Sequence, residues 1–248
     1  MYGERGRIGL ITLATDTSVL PEYQRAAPPG VAVYAAPIVL PRGEVTPEAL
    51  DAMLADDRLE RAAALLVWAG VGVVVFACTS GSLIHGVGWD RRLVARIETA
   101  CGLPATTTAT AVLAALRAVG AEQVAVATPY LDRVNAIERT FLEDSRFAVA
   151  AIEGLQCATD SAIGQLGPED AMRAAARVDR PAANALFISC TNWHCLAAVP
   201  ALEARHGKPV VTSNLAGIWV ALRRLGIADA LPQHGRLLTL PAEEGVLT

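Results

Sequence analysis

Two cysteines of this chain stand at matching points of two similar sequence patterns. Cys78 follows the apolar run 73–77 and precedes a threonine, and Cys190 follows the run 185–189 and also precedes a threonine. Both runs have the length and the aliphatic composition of buried parallel strands. Ligands of open parallel sheets bind beyond the carboxyl ends of the strands. The spacing therefore predicts that the two thiols form the two sides of one active site.

Two thiols that face each other across a small substrate can move a proton on a carbon acid. One thiol removes the proton beside a carboxylate, or attacks the carbon, and the other delivers a proton from the opposite side. The resulting enediolate needs hydrogen-bond donors, and amides near a helix start favour both a thiolate and a carboxylate. Such a site needs no metal or organic cofactor, and we predict none. The predicted substrate-binding donors beside the cysteines are Thr79, Ser80, Thr191 and Asn192.

Either cysteine alone has a simpler explanation, because a free cysteine is most commonly a small buried hydrophobic residue. That alternative weakens when both cysteines follow equivalent strands and both precede a threonine. A zinc site at Cys190, His194 and Cys195 is not predicted, since no second cluster completes a tetrahedral ligand set. His194 and His85 are interpreted as ordinary helix and loop residues, with a pocket or lid role as the alternative for each.

The composition narrows the class of protein. Hydrophobic residues make up 53% and charged residues 19% of the 248 residues, which is enough apolar material for a sizeable core. A net charge of −4 without a basic cluster predicts neither a nucleic-acid nor a membrane partner. The uncharged stretch 62–84 is interpreted as a helix end followed by a buried strand. With no signal peptide recognised and five cysteines expected as free thiols, we predict a cytoplasmic protein. We also expect it to be a homo-oligomer.

Strands alternate with helices at short spacing along the whole chain, which is typical of α/β proteins with parallel sheets. Part of the pattern repeats, because Gly102-Leu-Pro and Ala115-Leu-Arg recur as Gly207-Lys-Pro and Ala221-Leu-Arg. The offset is similar to the separation of the two cysteines. The sequence therefore predicts two similar parallel-sheet α/β halves that are related by a pseudo-two-fold axis, with the active site between them.

The predicted organisation has three parts. They are an N-terminal α/β lobe over 1–110, a second α/β lobe over 111–216, and a C-terminal helix and tail over 217–248 that pack back on the first lobe. The predicted helices include a single helix over 47–68, a helix that begins at Thr128-Pro129, and a helix over 193–206.

Several short motifs together resemble a known group of enzymes. They are Ile8-Gly-Leu-Ile, Cys78-Thr-Ser80, Ala127-Thr-Pro-Tyr130, Ser189-Cys-Thr191 and Lys208-Pro-Val-Val-Thr-Ser-Asn214. The chain resembles the aspartate/glutamate racemase superfamily over nearly its whole length. The most similar branch holds maleate cis-trans isomerases, arylmalonate decarboxylases and the racemase-like proteins of ectoine utilisation.

The resemblance implies roles for individual residues. Cys78 matches the nucleophile or base of the isomerases, and Cys190 matches their second cysteine. Thr79 and Ser80 match a pocket that holds a carboxylate, and Tyr130 matches a tyrosine that donates to the same carboxylate. The decarboxylases carry glycine in place of Cys78, so the presence of both cysteines argues for a racemase or isomerase.

Two aspartates depart from the isomerase pattern. Asp16 and Asp160 stand where maleate isomerases are expected to carry asparagine, which can donate to a carboxylate, whereas an ionised aspartate repels it. We therefore predict that one aspartate receives an ammonium or hydroxyl group and that the substrate is derived from an amino acid. The alternative for each residue is a loop carboxylate that caps a helix.

The favoured function is a cofactor-independent racemase or isomerase that acts on a small carboxylate. One alternative is a maleate cis-trans isomerase, in which Cys78 adds to the double bond and Cys190 assists protonation after rotation. A second alternative is an arylmalonate-type decarboxylase. A non-enzymatic alternative is a bilobed binding protein for small acids, which would also consist of two α/β halves.

Overall fold

Two four-stranded parallel sheets form the core of the protein, for which a computed structural model describes residues 2–241. The first sheet has the order β2-β1-β3-β4 and the second β6-β5-β7-β8. The strands are β1 (Gly6–Leu13), β2 (Val31–Ile38), β3 (Val73–Phe76), β4 (Ala105–Thr107), β5 (Gln123–Thr128), β6 (Ala148–Gly154), β7 (Ala185–Ile188) and β8 (Val210–Thr212). The equivalent strand orders confirm the predicted α/β class and the duplicated unit.

Helices connect successive strands in both halves. They are α1 (Val19–Ala26), α2 (Pro47–Leu54), α3 (Arg58–Val67), α4 (Thr79–Leu83), α5 (Trp89–Cys101), α6 (Thr108–Ala118), α7 (Asp132–Asp144), α8 (Asp160–Ile163), α9 (Pro168–Val178), α10 (Val199–His206) and α11 (Ser213–Arg224). Short 3-10 turns lie at Pro41–Gly43, Leu196–Ala198, Pro232–His234 and Leu237–Thr239. None of the helices within residues 2–241 is both long enough and apolar enough to cross a membrane.

The duplication is visible in the way equivalent elements begin and end. Gly102 and Gly207 end α5 and α10 in the left-handed region, with φ of +68° and +67°, which glycine adopts without a steric penalty. Thr107 and Thr212 cap α6 and α11 with their side chains. These matched positions explain why the glycine and threonine signals recur in the sequence.

The single helix predicted over 47–68 is wrong, because the structure has two helices there. The predicted start is confirmed, since the Thr46 hydroxyl accepts from Ala49 N and Pro47 is the first helical residue. The helix ends at Leu54, and the side chain of Asp56 accepts from the backbone N–H of Arg58 at 3.0 Å, where α3 begins. A local capping interaction thus interrupts a continuous amphipathic pattern.

Two other predicted helix starts are also wrong. The helix predicted at Thr128-Pro129 begins only at Asp132. The Thr128 hydroxyl does not cap a helix there, because it donates to the Asn135 side chain and accepts from Tyr130 N. The helix predicted over 193–206 begins as a 3-10 turn at Leu196. The backbone N–H groups of Cys195 and Leu196, just before the helix, donate to the carboxylate of Glu22.

The helix α11 connects the two sheets. It follows β8 of the second sheet but packs against β3 and β4 of the first, and it also packs along α6. The lobe boundaries 1–110, 111–216 and 217–248 stay predictions, and residues 242–248 lie outside the described residues. Packing of α11 on both sheets places its first residues, Ser213 and Asn214, near the strand ends of both halves.

A tight contact between α11 and α1 gives a testable prediction. A Cβ at Gly217 would lie 1.9 Å from the hydroxyl of Tyr23, which is fully buried. We expect Gly217→Ala to lower the free energy of unfolding by about 1 to 3 kcal/mol through overpacking, as measured by urea denaturation.

Tyr23→Phe provides the matched control for that clash. Without the hydroxyl, the nearest remaining ring atom lies 3.2 Å from the position that the alanine methyl group would take, so the double variant should recover part of the lost stability. A Gly217→Ala protein that unfolds at the same urea concentration as the parent would show that α1 shifts without cost.

Candidate active site

The two predicted cysteines lie at the carboxyl ends of equivalent central strands. Cys78 follows β3 and directly precedes α4, and Cys190 follows β7. Both are buried, with 3% and 5% of their surface exposed, and both line the same small cavity between the two halves. Its lining residues are Leu13, Leu40, Val45, Cys78, Thr79, Ser80, Tyr130, Asp160, Cys190 and Thr191.

The cavity is nearly closed. Its volume is about 10 Å³, which is about the space that one water molecule requires. A small carboxylate therefore fits only after some lining residues move apart. All the predicted site residues except Asp16 and Asn192 contribute to this lining.

Asp16 lies behind the cavity and caps a helix. Its Oδ1 accepts from the backbone N–H groups of Ser18 and Val19, both at 2.8 Å, at the start of α1. Its Oδ2 is buried without a well-formed hydrogen bond. The helix-capping interpretation thus describes one oxygen of Asp16, and the second oxygen is buried without such a role.

Asn192 fixes the other aspartate, and both residues are tied to the first half by threonines. Its Nδ2 donates to Asp160 at the backbone oxygen (2.9 Å) and at Oδ2 (3.0 Å), while its Oδ1 accepts from Thr17 N at 2.9 Å. The hydroxyl of Thr15 donates to the same Asp160 oxygen. Asp160 is therefore held in the wall of the cavity by one residue of the second half and one of the first.

Ser213 is a site residue that sequence reasoning missed. Its Oγ accepts from the Thr79 hydroxyl and from the Cys190 backbone N–H, each at 2.9 Å. Ser213 thereby joins the turn after Cys78 to the turn that carries the second cysteine. The available signal was its position directly after β8, at the carboxyl end of a strand next to the one that precedes Cys190.

The backbone around both thiols is specialised. A Cβ at Gly81 would lie 3.0 Å from the Cys78 sulfur, so glycine allows α4 to approach that thiol closely. Cys190 has a φ of +111°, a conformation that non-glycine residues rarely adopt. Strain of this kind persists where the surrounding structure fixes it, as Ser213 does through the Cys190 amide.

Burial dominates the protonation of the thiols. It raises the pKa of Cys78 to about 12 and the pKa of Cys190 well above the usual range, and the charges of Asp160 and Asp16 raise both further. The Gly81 N–H lowers the pKa of Cys78, as predicted for amides at a helix start. In the closed cavity this effect is smaller than the desolvation, so both thiols are protonated.

The two aspartates make the surroundings of the cavity acidic. Burial raises the pKa of Asp16 to about 6 and also raises that of Asp160, although hydrogen bonds from Thr15 and Asn192 oppose the second shift. No lysine or arginine belongs to the described lining of the cavity. The cavity therefore presents hydroxyl, thiol and carboxyl groups without a compensating cation.

The remaining predicted candidates lie elsewhere. His85 pairs with Asp51 at 2.7 Å and packs edge-on against Trp89 at the surface. Neither His85 nor His194 is part of the cavity lining. Across residues 2–241, no group of three or more His, Cys, Asp and Glu side chains has a metal-binding arrangement.

The duplicated α/β fold, with one cysteine of each half at a shared cavity, defines a member of the aspartate/glutamate racemase superfamily, as the sequence motifs predicted. Within this class the chain belongs to the arylmalonate decarboxylase family, whose model matches residues 8–238. The relatives of this chain include isomerases as well as decarboxylases, so the protein belongs to a family of enzymes.

Two relatives and one solved structure show the range of the similarity. The arylmalonate decarboxylase of Bordetella bronchiseptica is 35% identical over 198 residues, which cover 79% of this chain and 82% of the relative. A maleate isomerase of Nocardia farcinica (strain IFM 10152) is 28% identical over 240 residues, or 94% and 95% of the two chains. A solved mutant of the Nocardia farcinica maleate cis-trans isomerase, with a covalently bound succinylcysteine intermediate, has a TM-score of 0.88 and 27% identity, with 94% and 98% covered.

Proposed function

We propose that this protein is a cofactor-independent racemase or isomerase that acts on a small carboxylate between Cys78 and Cys190. The observation that carries the proposal is that both thiols, one from each half, line a single small cavity. Thr79, Ser80 and Tyr130 line the same cavity and supply the donors that a carboxylate and its enediolate need.

The proposed reaction moves one proton between the faces of a carbon. One cysteine, as thiolate, takes the proton beside the carboxylate, and the electron pair left on carbon delocalises into the carboxylate as an enediolate. The other cysteine, as thiol, then gives its proton to the opposite face. The carbon is inverted, and the two cysteines have exchanged protonation states.

One thiol must lose its proton before this reaction starts. Both thiols have raised pKa values in the closed cavity, chiefly through burial and secondly through the nearby acids. A positive charge on the substrate opposes both effects, because a nearby cation favours a thiolate. An ammonium group would thus bind beside Asp160 and at the same time make a thiolate accessible.

The same electrostatic argument supports an amino acid-derived substrate over a dicarboxylate. Asp160 lines the cavity, Asp16 lies directly behind it, and no lysine or arginine of the described lining offsets them. A dicarboxylate brings two negative charges into these surroundings, whereas an amino acid brings a cation that can pair with an aspartate. The substrate class is therefore a small amino acid or a close derivative.

Maleate cis-trans isomerisation is the second candidate. It is favoured by the Nocardia relative, which aligns over 94% of this chain and whose solved mutant holds a covalent succinylcysteine. In that reaction Cys78 would add to the double bond, the bond would rotate, and the cysteine would leave. The third candidate, decarboxylation, is favoured by the 35% identical Bordetella relative; the glycine expected there in place of Cys78 argues against it.

Proton exchange in deuterated water tests the proposal directly. We expect an NMR screen of amino acids, diaminobutyrate derivatives, hydantoins and maleate to show deuterium incorporation at the α-carbon of an amino acid-derived compound. The same sample should lose optical activity if the starting compound is a single enantiomer.

The other outcomes of this screen distinguish the alternatives. Conversion of maleate to its trans isomer at a comparable rate would contradict the amino acid assignment and support the second candidate. Release of carbon dioxide from an arylmalonate would support the decarboxylase. Tight binding without exchange, isomerisation or decarboxylation would support a binding protein.

A further inference from the structure

A third acid near the site has no part in the proposed reaction. Glu138 lies in the middle of α7 and is 0% exposed. Neither of its carboxyl oxygens makes a well-formed hydrogen bond within the described residues. A buried carboxyl group without partners is costly, and its ionised form is far more costly than its neutral form.

The surroundings of Glu138 lead directly to Cys190. The hydroxyl of Ser189, the residue before Cys190, faces Glu138 and is itself buried without a well-formed hydrogen bond. The Tyr130 hydroxyl is also buried without a well-formed hydrogen bond. It lies close enough to interact with the Cys190 thiol and with the charge of Glu138. We call Glu138, Ser189 and Tyr130 the α7 polar cluster.

The charges around this cluster are of one sign. Burial is the main cause that raises the pKa of Glu138 to about 7, and the Ser189 hydroxyl opposes it. No lysine, arginine or histidine of the described chain contributes to that shift. The other ionisable group of the cluster is Tyr130, in the loop before α7, and the cluster adjoins Cys190, after β7; both groups become negative when they ionise.

We propose that Glu138 is a positioning residue that must be protonated for Cys190 to work, so that its ionisation limits the reactivity of this thiol at alkaline pH. The neutral acid contacts Ser189 without adding charge. The ionised acid places an uncompensated negative charge behind Tyr130 and Cys190, where a thiolate and an enediolate must also form. The catalytic relevance of this effect rests on the proposed function, but the effect on the thiol itself does not.

Site-specific alkylation of Cys190 provides a test that needs no substrate. The rate of modification by iodoacetamide is measured by mass spectrometry from about pH 6 to about pH 9. This range spans the pH at which Glu138 is expected to ionise. Glu138→Gln keeps the shape and the Ser189 contact but cannot ionise. We expect it to increase the Cys190 modification rate by about tenfold at the alkaline end, because one negative charge fewer then opposes the thiolate, and to leave the acid end unchanged.

Two further variants separate the effect of the Glu138 charge from that of its contact with Ser189 and from the effect of any substitution on α7. Glu138→Leu removes the charge and also the Ser189 contact, so it should show the same alkaline increase in Cys190 modification with a lower turnover number. Glu143→Gln removes an acid on the same helix that is exposed and pairs with Arg139. We expect its alkylation profile to match that of the parent.

An infrared spectrum gives an independent readout of the proton on Glu138. The difference spectrum between the parent and Glu138→Gln should show a protonated-carboxyl band at pH 6 that disappears as the pH rises. A Cys190 alkylation profile that is identical in the parent, Glu138→Gln and Glu138→Leu would overturn the inference. If the profile shifts as expected but no substrate is turned over, the inference holds and the proposed function fails.

Discussion

Serine in place of either Cys78 or Cys190 is expected to lower the rate of racemisation by about 10² to 10⁴-fold, the usual contribution of a general acid or base. A serine hydroxyl does not ionise near neutral pH, so it cannot take the proton from carbon. In the proposed reaction each cysteine is the base in one direction and the acid in the other. Both directions therefore fail in both variants, which is measured by loss of optical activity from either enantiomer.

The other cysteines provide matched controls for this experiment. Cys101 and Cys157 are only partly buried and do not line the cavity. Cys101→Ser and Cys157→Ser should retain the parental rate, and all four variants should keep the parental circular dichroism spectrum. A Cys78→Ser or Cys190→Ser protein that is folded and fully active would refute the paired roles of the two thiols.

The parts of the fold that local physics determines were accessible from the sequence. The run before Cys78 is buried at every position of β3, and an unbroken apolar run of that length predicts such a strand. Thr46 and Pro47 start α2 because a cap and a fixed φ act within one turn. The matched glycines end helices for an equally local reason.

The missed features depend on contacts between distant residues. The sequence Thr-Ser-Gly-Ser-Leu has weak helix propensity, yet α4 forms there because Ser82 donates to Cys78 O and the segment is buried. Thr79 and Ser213 are 134 residues apart but share a hydrogen bond. Glu138 lies on a helix whose pattern resembles any amphipathic helix, so nothing local distinguishes its carboxyl group from a solvated one.

Asp16 illustrates how a single residue can combine a structural role with an untested one. Its Oδ1 caps α1, which was the structural alternative, and its Oδ2 points away from the cap without a well-formed partner. A sequence pattern indicates which residue type is present but cannot assign the two oxygens separately. The structure therefore shifts the expected contact with a substrate cation to Asp160, which lines the cavity.

Asparagine at position 160 should change which substrates the protein accepts. The amide of an Asp160→Asn variant is neutral, so it cannot pair with an ammonium group. At an effective dielectric constant of about 20, two unit charges at about 4 Å interact by about 4 kcal/mol, which corresponds to about a thousandfold in kcat/KM. We expect a loss approaching that size for an amino acid-derived substrate and a relative gain for maleate.

The pH dependence of kcat/KM in the parent provides a second test of the role of the Asp160 charge. The folded pKa values of Asp16 and Asp160 are raised, to about 6 for Asp16, chiefly by burial. Asp16 is therefore neutral below about pH 6, and Asp160 takes up a proton at a higher pH than a free aspartate does, so binding of a cationic substrate should weaken as the pH falls. Asp160→Asn should flatten most of this dependence, measured as kcat/KM against pH.

Asp16→Asn is the matched comparison, because the asparagine Oδ1 can still accept from Ser18 and Val19 and cap α1. Its charge lies behind the cavity and acts at longer range, so its loss should reduce kcat/KM for the cationic substrate less than the loss at Asp160. An unchanged ratio of amino acid to maleate turnover in Asp160→Asn would show that this carboxylate does not select the substrate. The fixed position of Asp160 between Thr15 and Asn192 would then serve only to hold the two halves together.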